Sequence, residues 1–236
     1  MPRISALHTT LLALAMALCG GAQAQMNEAL AKQVAQEVRI LINEGTGVIG
    51  ALQPQINAGK ATAAEVKPEV LVEQFKARYQ KAAGVPFDTS APGVLGDARR
   101  AYLQAFSSVV TRYQSNLIKG GQDAFVPAFF RAQTMKAFNT AMQGSVKAYA
   151  TNRDNELING DWAVSRVMKG SPLAAEVTKR MGTGGLDADV TRVGNTVMGY
   201  YPMKLAQGCV ACHAQNGLKQ TVGAFGGVLV AEIPVK

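Results

Sequence analysis

Long hydrophobic runs are missing from this sequence. A transmembrane helix needs about 20 consecutive apolar residues, whereas the apolar run near the N-terminus extends only from Leu11 to Leu18. Arg3 precedes this run and Ala22-Gln23-Ala24 follows it, which is the pattern of an export signal cleaved by signal peptidase. We therefore predict a signal peptide at residues 1–24, a periplasmic location, and no transmembrane segment in the mature chain.

Cysteine and histidine are also scarce, with three and two copies in 236 residues. Cys19 and His8 would leave with the signal peptide, so the mature chain keeps two cysteines and one histidine. All three lie in the segment Cys209-Val210-Ala211-Cys212-His213. A structural zinc site needs four ligands of this kind, so the scarcity excludes one. Such a tight cluster of rare residues needs another chemical explanation.

Clusters of basic residues are missing as well, although the chain is basic, with a formal net charge of +8. The basic residues are scattered and form only short pairs such as Arg99-Arg100 and Lys179-Arg180. There is no basic stripe of the kind that binds nucleic acid. We expect a solvated basic surface, and docking to an acidic redox partner or to phospholipid headgroups stays open.

The first half of the mature chain, residues 25–120, is predicted to be an N-terminal helical region. Apolar residues recur at three- and four-residue steps from Leu30 to Ile42, and Gly45 is expected to end this first helix. A second helix is predicted from Pro68 to Gly84. After a loop rich in Pro, Gly, Ser and Asp, a third is expected from about Asp97 to Lys119. A fourth is expected to begin with Asp123 as its N-cap.

Beyond Gly144 the pattern changes from helical to extended. Residues 145–151 alternate between apolar and polar side chains, which indicates a strand with one buried face. A short helix is expected from Ser171 to Gly182. Residues 189–203 and 222–235 are rich in Val, Gly and aromatic residues and are predicted to be strands. The chain is therefore predicted to be α+β, with helices packed on one side of a small antiparallel sheet.

The CxxCH spacing of residues 209–213 is the attachment motif of c-type haem. Two cysteines three residues apart lie on the same side of a helical turn. They can form thioethers with the two haem vinyl groups, while the imidazole that follows ligates the iron. We predict one haem c per chain, attached covalently through Cys209 and Cys212. His213 is the predicted iron ligand, because it is the only imidazole of the mature chain.

Two other interpretations of this motif are weaker. A redox-active CxxC dithiol usually lies at the start of a helix that follows the first strand of a βαβ unit. Here the motif lies near the C-terminus and no βαβ pattern precedes it. A structural disulfide between Cys209 and Cys212 is the other alternative.

The second axial ligand of the iron stays open from the sequence. A methionine would favour electron transfer, whereas a water, an exchangeable gas or a lysine is an equal alternative, and an open position admits small gases. The methionines of the mature chain, all upstream of His213, are Met26, Met135, Met142, Met168, Met181, Met198 and Met203. Side chains that could line a haem pocket or meet its propionates are Tyr200, Tyr201, Phe225, Arg131, Arg153, Arg166 and Trp162.

Four segments resemble, in order, the exported c-type haem domains of PAS-like fold, a family listed as of unknown function that occurs free-standing and as the sensory part of bacterial signalling receptors. These segments are GGQDAFVPAFFRAQTMKAFN, ATNRDNELINGDWAV, YYPMKLAQGCVACHA and GAFGGVLVAEIPV. The resemblance implies that residues 121–236 form a PAS-like domain in which Cys209, Cys212 and His213 hold the haem against a small sheet. Some relatives use a cysteine of the N-terminal helical region as second axial ligand, and this mature chain has none there. No kinase or methyl-accepting module follows the domain, so we expect any signal to pass through a separate partner.

The function predicted from these observations is that of a periplasmic monohaem c-type cytochrome. It would sense redox state or a small ligand, or transfer single electrons, with a redox partner protein or a small gaseous ligand as its partner. The alternative is a four-helix gas-binding cytochrome, which should end on its haem helix, whereas a strand-like segment follows the motif here. An enzyme is not expected, because a haem peroxidase uses distal acid–base groups that usually include a histidine.

Overall fold

The computed structural model describes residues 26–120, 125–151, 157–158, 188–207, 209–210, 214, 219 and 221–236, and their fold is α+β, as predicted. The predicted signal peptide, Asp123 and the predicted helix at 171–182 lie outside the described residues. The helices are α1 (Glu28–Asn57), α2 (Pro68–Ala83), α3 (Gly93–Leu117) and α4 (Pro127–Ala141). The strands are β1 (Lys147–Thr151), β2 (Leu157–Ile158), β3 (Asp189–Val193), β4 (Thr196–Lys204) and β5 (Phe225–Pro234).

Helix α1 is a single helix of 30 residues, so the prediction that it ends at Gly45 is wrong. Its first turn is capped by Asn27, whose Oδ1 accepts a hydrogen bond from the Leu30 amide at 2.8 Å. Gly45 lies inside the helix, and the position needs a glycine because a Cβ there would overlap Tyr102 Oη of α3. Tyr102 is fully buried. The glycine therefore permits a close contact between two helices instead of ending one.

The other helix boundaries follow the local sequence more closely. The predicted helix at 68–84 is confirmed as α2, which opens on Pro68 and is capped by Gly84 in the left-handed conformation, with φ 73°. Helix α3 begins at Gly93, about one turn before the predicted start, because Gly96 leaves room for the Ala91 carbonyl oxygen beside the first turn. Helix α4 begins at Pro127 with Val126 at its N-cap position, so the prediction that Asp123 caps this helix is wrong.

The sheet has the strand order β2-β1-β5-β4-β3, and each pair of neighbours is antiparallel. The predicted strands at 145–151 and 222–235 are confirmed as β1 and β5. The predicted strand at 189–203 is a hairpin of β3 and β4, whose turn contains Gly194 with φ 58°. The last strand thus lies at the centre of the sheet, between β1 and β4.

The two faces of the sheet carry different hydrophobic clusters, as the two-residue period of a strand requires. On one face Ala148, Tyr201 and Leu229 belong to a continuous core that extends from α1 to β5. The opposite face carries a smaller cluster of Met198, Tyr200, Val228 and Val230. The proposed domain boundary after residue 120 stays a prediction. Among the described helices, none is long and apolar enough to cross a membrane.

Helix α4 is fixed to the sheet by Asn139. Its Nδ2 donates to the Ala148 carbonyl oxygen at 2.9 Å, and its Oδ1 accepts from the Ala148 amide at 2.7 Å. Because both groups of one strand residue are satisfied by one side chain, α4 cannot slide along β1 without breaking two hydrogen bonds. This contact sets the position of the α4 N-terminus relative to the sheet.

Substituting Gly45→Ala should destabilise the fold, although alanine is the better helix former by about 1 kcal/mol. We expect the free energy of unfolding to fall by about 1–3 kcal/mol, the usual cost of overpacking a buried contact. Urea denaturation measures this change. In a Tyr102→Phe background, which lacks the overlapping Oη, the same substitution should cost less. Equal costs in both backgrounds would refute the packing role of Gly45.

Candidate functional site

The CxxCH motif lies in the connection between β4 and β5, residues 205–224. The two ends of this connection are held together by backbone hydrogen bonds, from the Leu205 amide to the Ala224 carbonyl oxygen at 2.9 Å and from the Gly223 amide to the Leu205 carbonyl oxygen at 2.8 Å. Leu205 also packs against Gly226, where a Cβ would lie 2.7 Å from a Leu205 methyl carbon. The motif therefore lies in a loop that starts at the end of β4 and returns to the start of β5, with its two ends hydrogen-bonded to each other.

Of the two cysteines and the histidine of the motif, Cys209 is the one that the structure describes. It is half-buried, has a free thiol, and lies in the helical turn closed by the hydrogen bond from the Val210 amide to the Ala206 carbonyl oxygen at 3.1 Å. Cys212 and His213 lie outside the described residues, so their predicted roles stay predictions. In the part of the chain that is described, no group of three or more His, Cys, Asp or Glu side chains could hold a metal ion.

Cys209 lines a cleft with a volume of about 490 Å³, bounded by α1, the start of α4, the end of β4 and the turn that carries the motif. Small-molecule and cofactor sites have volumes of about 300–1,000 Å³, so the cleft is large enough for one. Its α1 wall includes Gly47 and Gly50. A Cβ at Gly50 would meet no atom within 4 Å, which shows how open this part of the wall is.

Tyr201 forms an apolar wall of the cleft and is almost fully buried. Its ring lies over Gly199, where a Cβ would come within 2.7 Å of a ring carbon. The Arg39 guanidinium lies above the same ring, with its Cζ 5.5 Å from the ring centroid, which is a cation–π contact. Burial raises the pKa of Tyr201, while the charge of Arg39 acts in the opposite direction. The phenol therefore stays neutral at physiological pH.

The cleft is strongly cationic. Arg39, Arg78, Arg131 and Lys204 line it, and none of the described lining residues is acidic. Arg78 is compensated from outside the cleft, because its Nε lies 3.1 Å from Glu44 Oε2. The other three cations have no ion pair within the described ranges.

Arg39 and Arg131 also carry unused hydrogen-bond donors. The Nε atom of each is buried without a hydrogen-bond partner among the described residues, and so is Thr46 Oγ1 on the same wall. Arg131 donates from a terminal nitrogen to Met203 Sδ at 2.9 Å, a weak acceptor. Burial lowers the pKa of the Arg131 guanidinium, and nearby Cys209 raises it. Buried donors without acceptors are costly, so the cleft suits an anionic group.

The other residues proposed from the sequence as haem neighbours fall into three groups: those that line the cleft, those that lie elsewhere, and those outside the described residues. Met203 and Arg131 line the cleft together with Tyr201. Tyr200 and Phe225 do not line it, because they belong to the cluster on the opposite face of the sheet, with Met198. Met26, Met135 and Met142 belong to the hydrophobic core or its edge. Candidates outside the described residues are Arg153, Trp162, Arg166, Met168 and Met181.

Sequence reasoning missed the contribution of α1, which supplies Arg39, Thr46 and the two glycines of the cleft wall. Thr46 and the two glycines were overlooked because Gly45 was expected to end the helix, whereas Arg39 lies in the part of α1 that was predicted. A signal was present: apolar residues continue at helical spacing beyond Gly45, and the buried positions Val48, Ile49, Leu52 and Ile56 follow that spacing.

The function of the cleft has to be inferred from its own residues, because comparison of the chain with models of known protein families, with curated proteins and with solved structures gives no match.

Proposed function

We propose that the protein is a periplasmic monohaem c-type cytochrome that acts in redox or small-ligand sensing or in single-electron transfer. Cys209 and Cys212 would carry the haem through thioethers, and His213 would ligate the iron. The observation that carries the proposal is that Cys209 opens onto a cationic cleft of cofactor size. When bound, the haem would supply one-electron redox chemistry and a site for small gaseous ligands.

The residues of the cleft fit a haem in their chemistry. A haem is a flat apolar group with two carboxylates at one edge. The Tyr201 ring and the open position at Gly50 suit its apolar plane, and the unused donors of Arg39 and Arg131 suit its carboxylates. Tyr201 and the surrounding core would exclude water from one side of the group.

The strand order supports the PAS-like part of the proposal. PAS-like domains have a five-stranded antiparallel sheet whose last strand lies between the first and the fourth, which is the order found here. The motif precedes the last strand, so the haem would lie beside the sheet. The alternative four-helix gas-binding cytochrome is less well supported, because such a bundle has no sheet.

The rim of the cleft is consistent with a redox partner. Arg78 and Lys204 are exposed at this rim, and exposed positive charge attracts an acidic protein surface over a distance of about a Debye length. Docking there would bring a partner close to the attached haem, as single-electron transfer requires.

Mass spectrometry of protein exported from a host that matures c-type cytochromes tests the proposal. We expect the signal peptide to be absent and the chain to be heavier than its amino acids by the mass of one haem. The purified protein should be coloured. A colourless chain without added mass would refute the haem proposal.

Visible spectra of the oxidised protein, and of the reduced protein with and without carbon monoxide, then distinguish the two roles. A ready change with carbon monoxide indicates an exchangeable axial position and favours ligand sensing. No change, together with the weak near-infrared band of methionine ligation, favours electron transfer, and Met203→Leu should then remove that band. Met135→Leu is the control, because Met135 is fully buried in the core away from the cleft.

A further inference from the structure

The cleft beside Cys209 has positive charge that its own described residues do not neutralise. Arg39 and Arg131 make no ion pair with a described carboxylate, and no described residue of the lining is acidic. Each keeps a buried Nε atom that has no acceptor among the residues the structure describes. The acidic groups of α1 already have partners: Glu28 pairs with Lys32, Glu37 with Arg99, and Glu44 with Arg78.

A guanidinium in such surroundings selects for a particular kind of ligand. Desolvating a charged group without a counter-ion is unfavourable, and this cost falls when a carboxylate binds. The guanidinium fork matches a carboxylate because two parallel N–H groups meet two oxygens. Arg39 is held from one side by the Tyr201 ring and Arg131 by Met203 Sδ. Both side chains are thus partly fixed while keeping donors free.

We propose that Arg39 and Arg131 are positioning residues that bind the two propionate carboxylates of the attached haem. This inference rests on the proposed function. Cys209, which would hold the porphyrin through a thioether, lines the same cleft. The thioethers and the two arginines would hold the haem at separate groups, so that its orientation does not depend on the covalent links alone.

Binding of the propionates by arginine also affects the iron. A positive charge paired with a propionate offsets the negative charge that the propionate places near the iron. The ferric state, which carries one more positive charge than the ferrous state, is then less stable. Removing that charge should make the ferric state about tenfold more populated at a fixed potential, which corresponds to about 59 mV for a one-electron couple. The reduction potential is therefore expected to fall in each arginine variant.

The test compares holoproteins of wild type, Arg39→Gln, Arg131→Gln and Arg131→Lys by resonance Raman spectroscopy and redox titration. The propionate bending bands of the Raman spectrum report hydrogen bonding to the carboxylates, and we expect them to shift in all three variants. The potential should fall in both glutamine variants and change less in Arg131→Lys, which keeps the charge. The control is Arg112→Gln, an equal change of charge at an exposed position of α3 outside this cleft.

Several outcomes would overturn the inference, and they differ from failure of the proposed function. Propionate bands that are unchanged in coloured Arg39→Gln and Arg131→Gln proteins would refute it while leaving the haem proposal intact. If citrate or phosphate shifts the potential of wild type but not of these variants, and the bands do not move, the arginines bind a diffusible anion instead. A colourless wild-type protein would refute both proposals. If Arg131→Gln does not fold, Arg131→Lys and Arg39→Gln still decide the question.

Discussion

Replacing both Cys209 and Cys212 by alanine should give a haem-free protein that keeps its helices but loses stability around the cleft. The helices should persist because their main aromatic cluster does not depend on the cleft. Phe75 of α2 contacts Tyr79, Phe87, Tyr102 and Phe106, with ring centroids 5.0–6.3 Å apart. None of these residues lines the cleft. The core they form continues into the sheet through α1 and α4.

The loss of stability follows from the apolar surface that the porphyrin would cover. If one face of the porphyrin buries roughly 200 Å² of apolar surface at about 25 cal/mol per Å², removing the haem lowers the free energy of unfolding by about 5 kcal/mol. For a chain of this size, that corresponds to a fall in melting temperature of about 10–20 °C. Amide hydrogen exchange should accelerate most in the end of β4 and in the β4–β5 connection, because these segments carry the motif and border the cleft.

Circular dichroism melting curves and hydrogen exchange of the exported wild-type and variant proteins measure these effects. Val210→Ala is the matched control, since it changes the motif at a position that forms no thioether and should keep both colour and melting temperature. A double-alanine variant that melts at the wild-type temperature would show that no haem stabilises the cleft. A variant that loses its helical signal altogether would show that the core needs the cofactor in order to form.

Much of the fold could be predicted from local patterns. Helix α2 lies between a proline and a glycine that act as its start and stop signals, and β1 shows its buried face by simple alternation, with Val146, Ala148 and Ala150 fully buried. The length of α1 could not be predicted in this way. A glycine can end a helix or permit close packing, and the choice at Gly45 depends on Tyr102, which is far along the chain.

The residues of the candidate site also differ in whether local sequence or tertiary contact reveals them. The CxxCH motif could be recognised in the sequence because its spacing predicts covalent haem attachment. Some residues that line the same cleft, such as Arg131, Tyr201 and Met203, could then be proposed as parts of a haem pocket. Arg39 could not, because nothing in its own segment indicates that α1 crosses the end of β4. Its place in the cleft depends on tertiary contacts between α1 and Tyr201. Sequence spacing can show which groups bind a cofactor covalently, but the residues that complete the pocket are brought together only by packing.

Replacing Glu37 by glutamine should be among the most destabilising substitutions in the described chain. Glu37 is buried, with 7% of its surface exposed, and it joins three helices. Its Oε1 accepts hydrogen bonds from Tyr79 Oη at 2.7 Å and Arg99 Nε at 2.8 Å, and its Oε2 accepts one from Arg99 at 3.3 Å. The Arg99 guanidinium also lies 5.6 Å from the centroid of the Tyr79 ring. The hydrogen bond with Glu37 raises the pKa of Arg99 despite its partial burial.

Neutralising Glu37 leaves the Arg99 charge in a site where only 14% of its side chain is exposed to water. Breaking a buried ion pair by removing one partner typically costs about 3–5 kcal/mol, and we expect a loss in this range in the free energy of unfolding measured with urea. The matched control is Glu73→Gln, whose partner Lys76 lies one turn away on the exposed face of α2, where ion pairs contribute little. Changing both Glu37 and Arg99 to methionine should recover part of the loss, because the unpaired buried charge is then removed. If Glu37→Gln is as stable as Glu73→Gln, the ion pair does not hold α1 to α2 and α3, and the aromatic packing around Phe75 must do so alone.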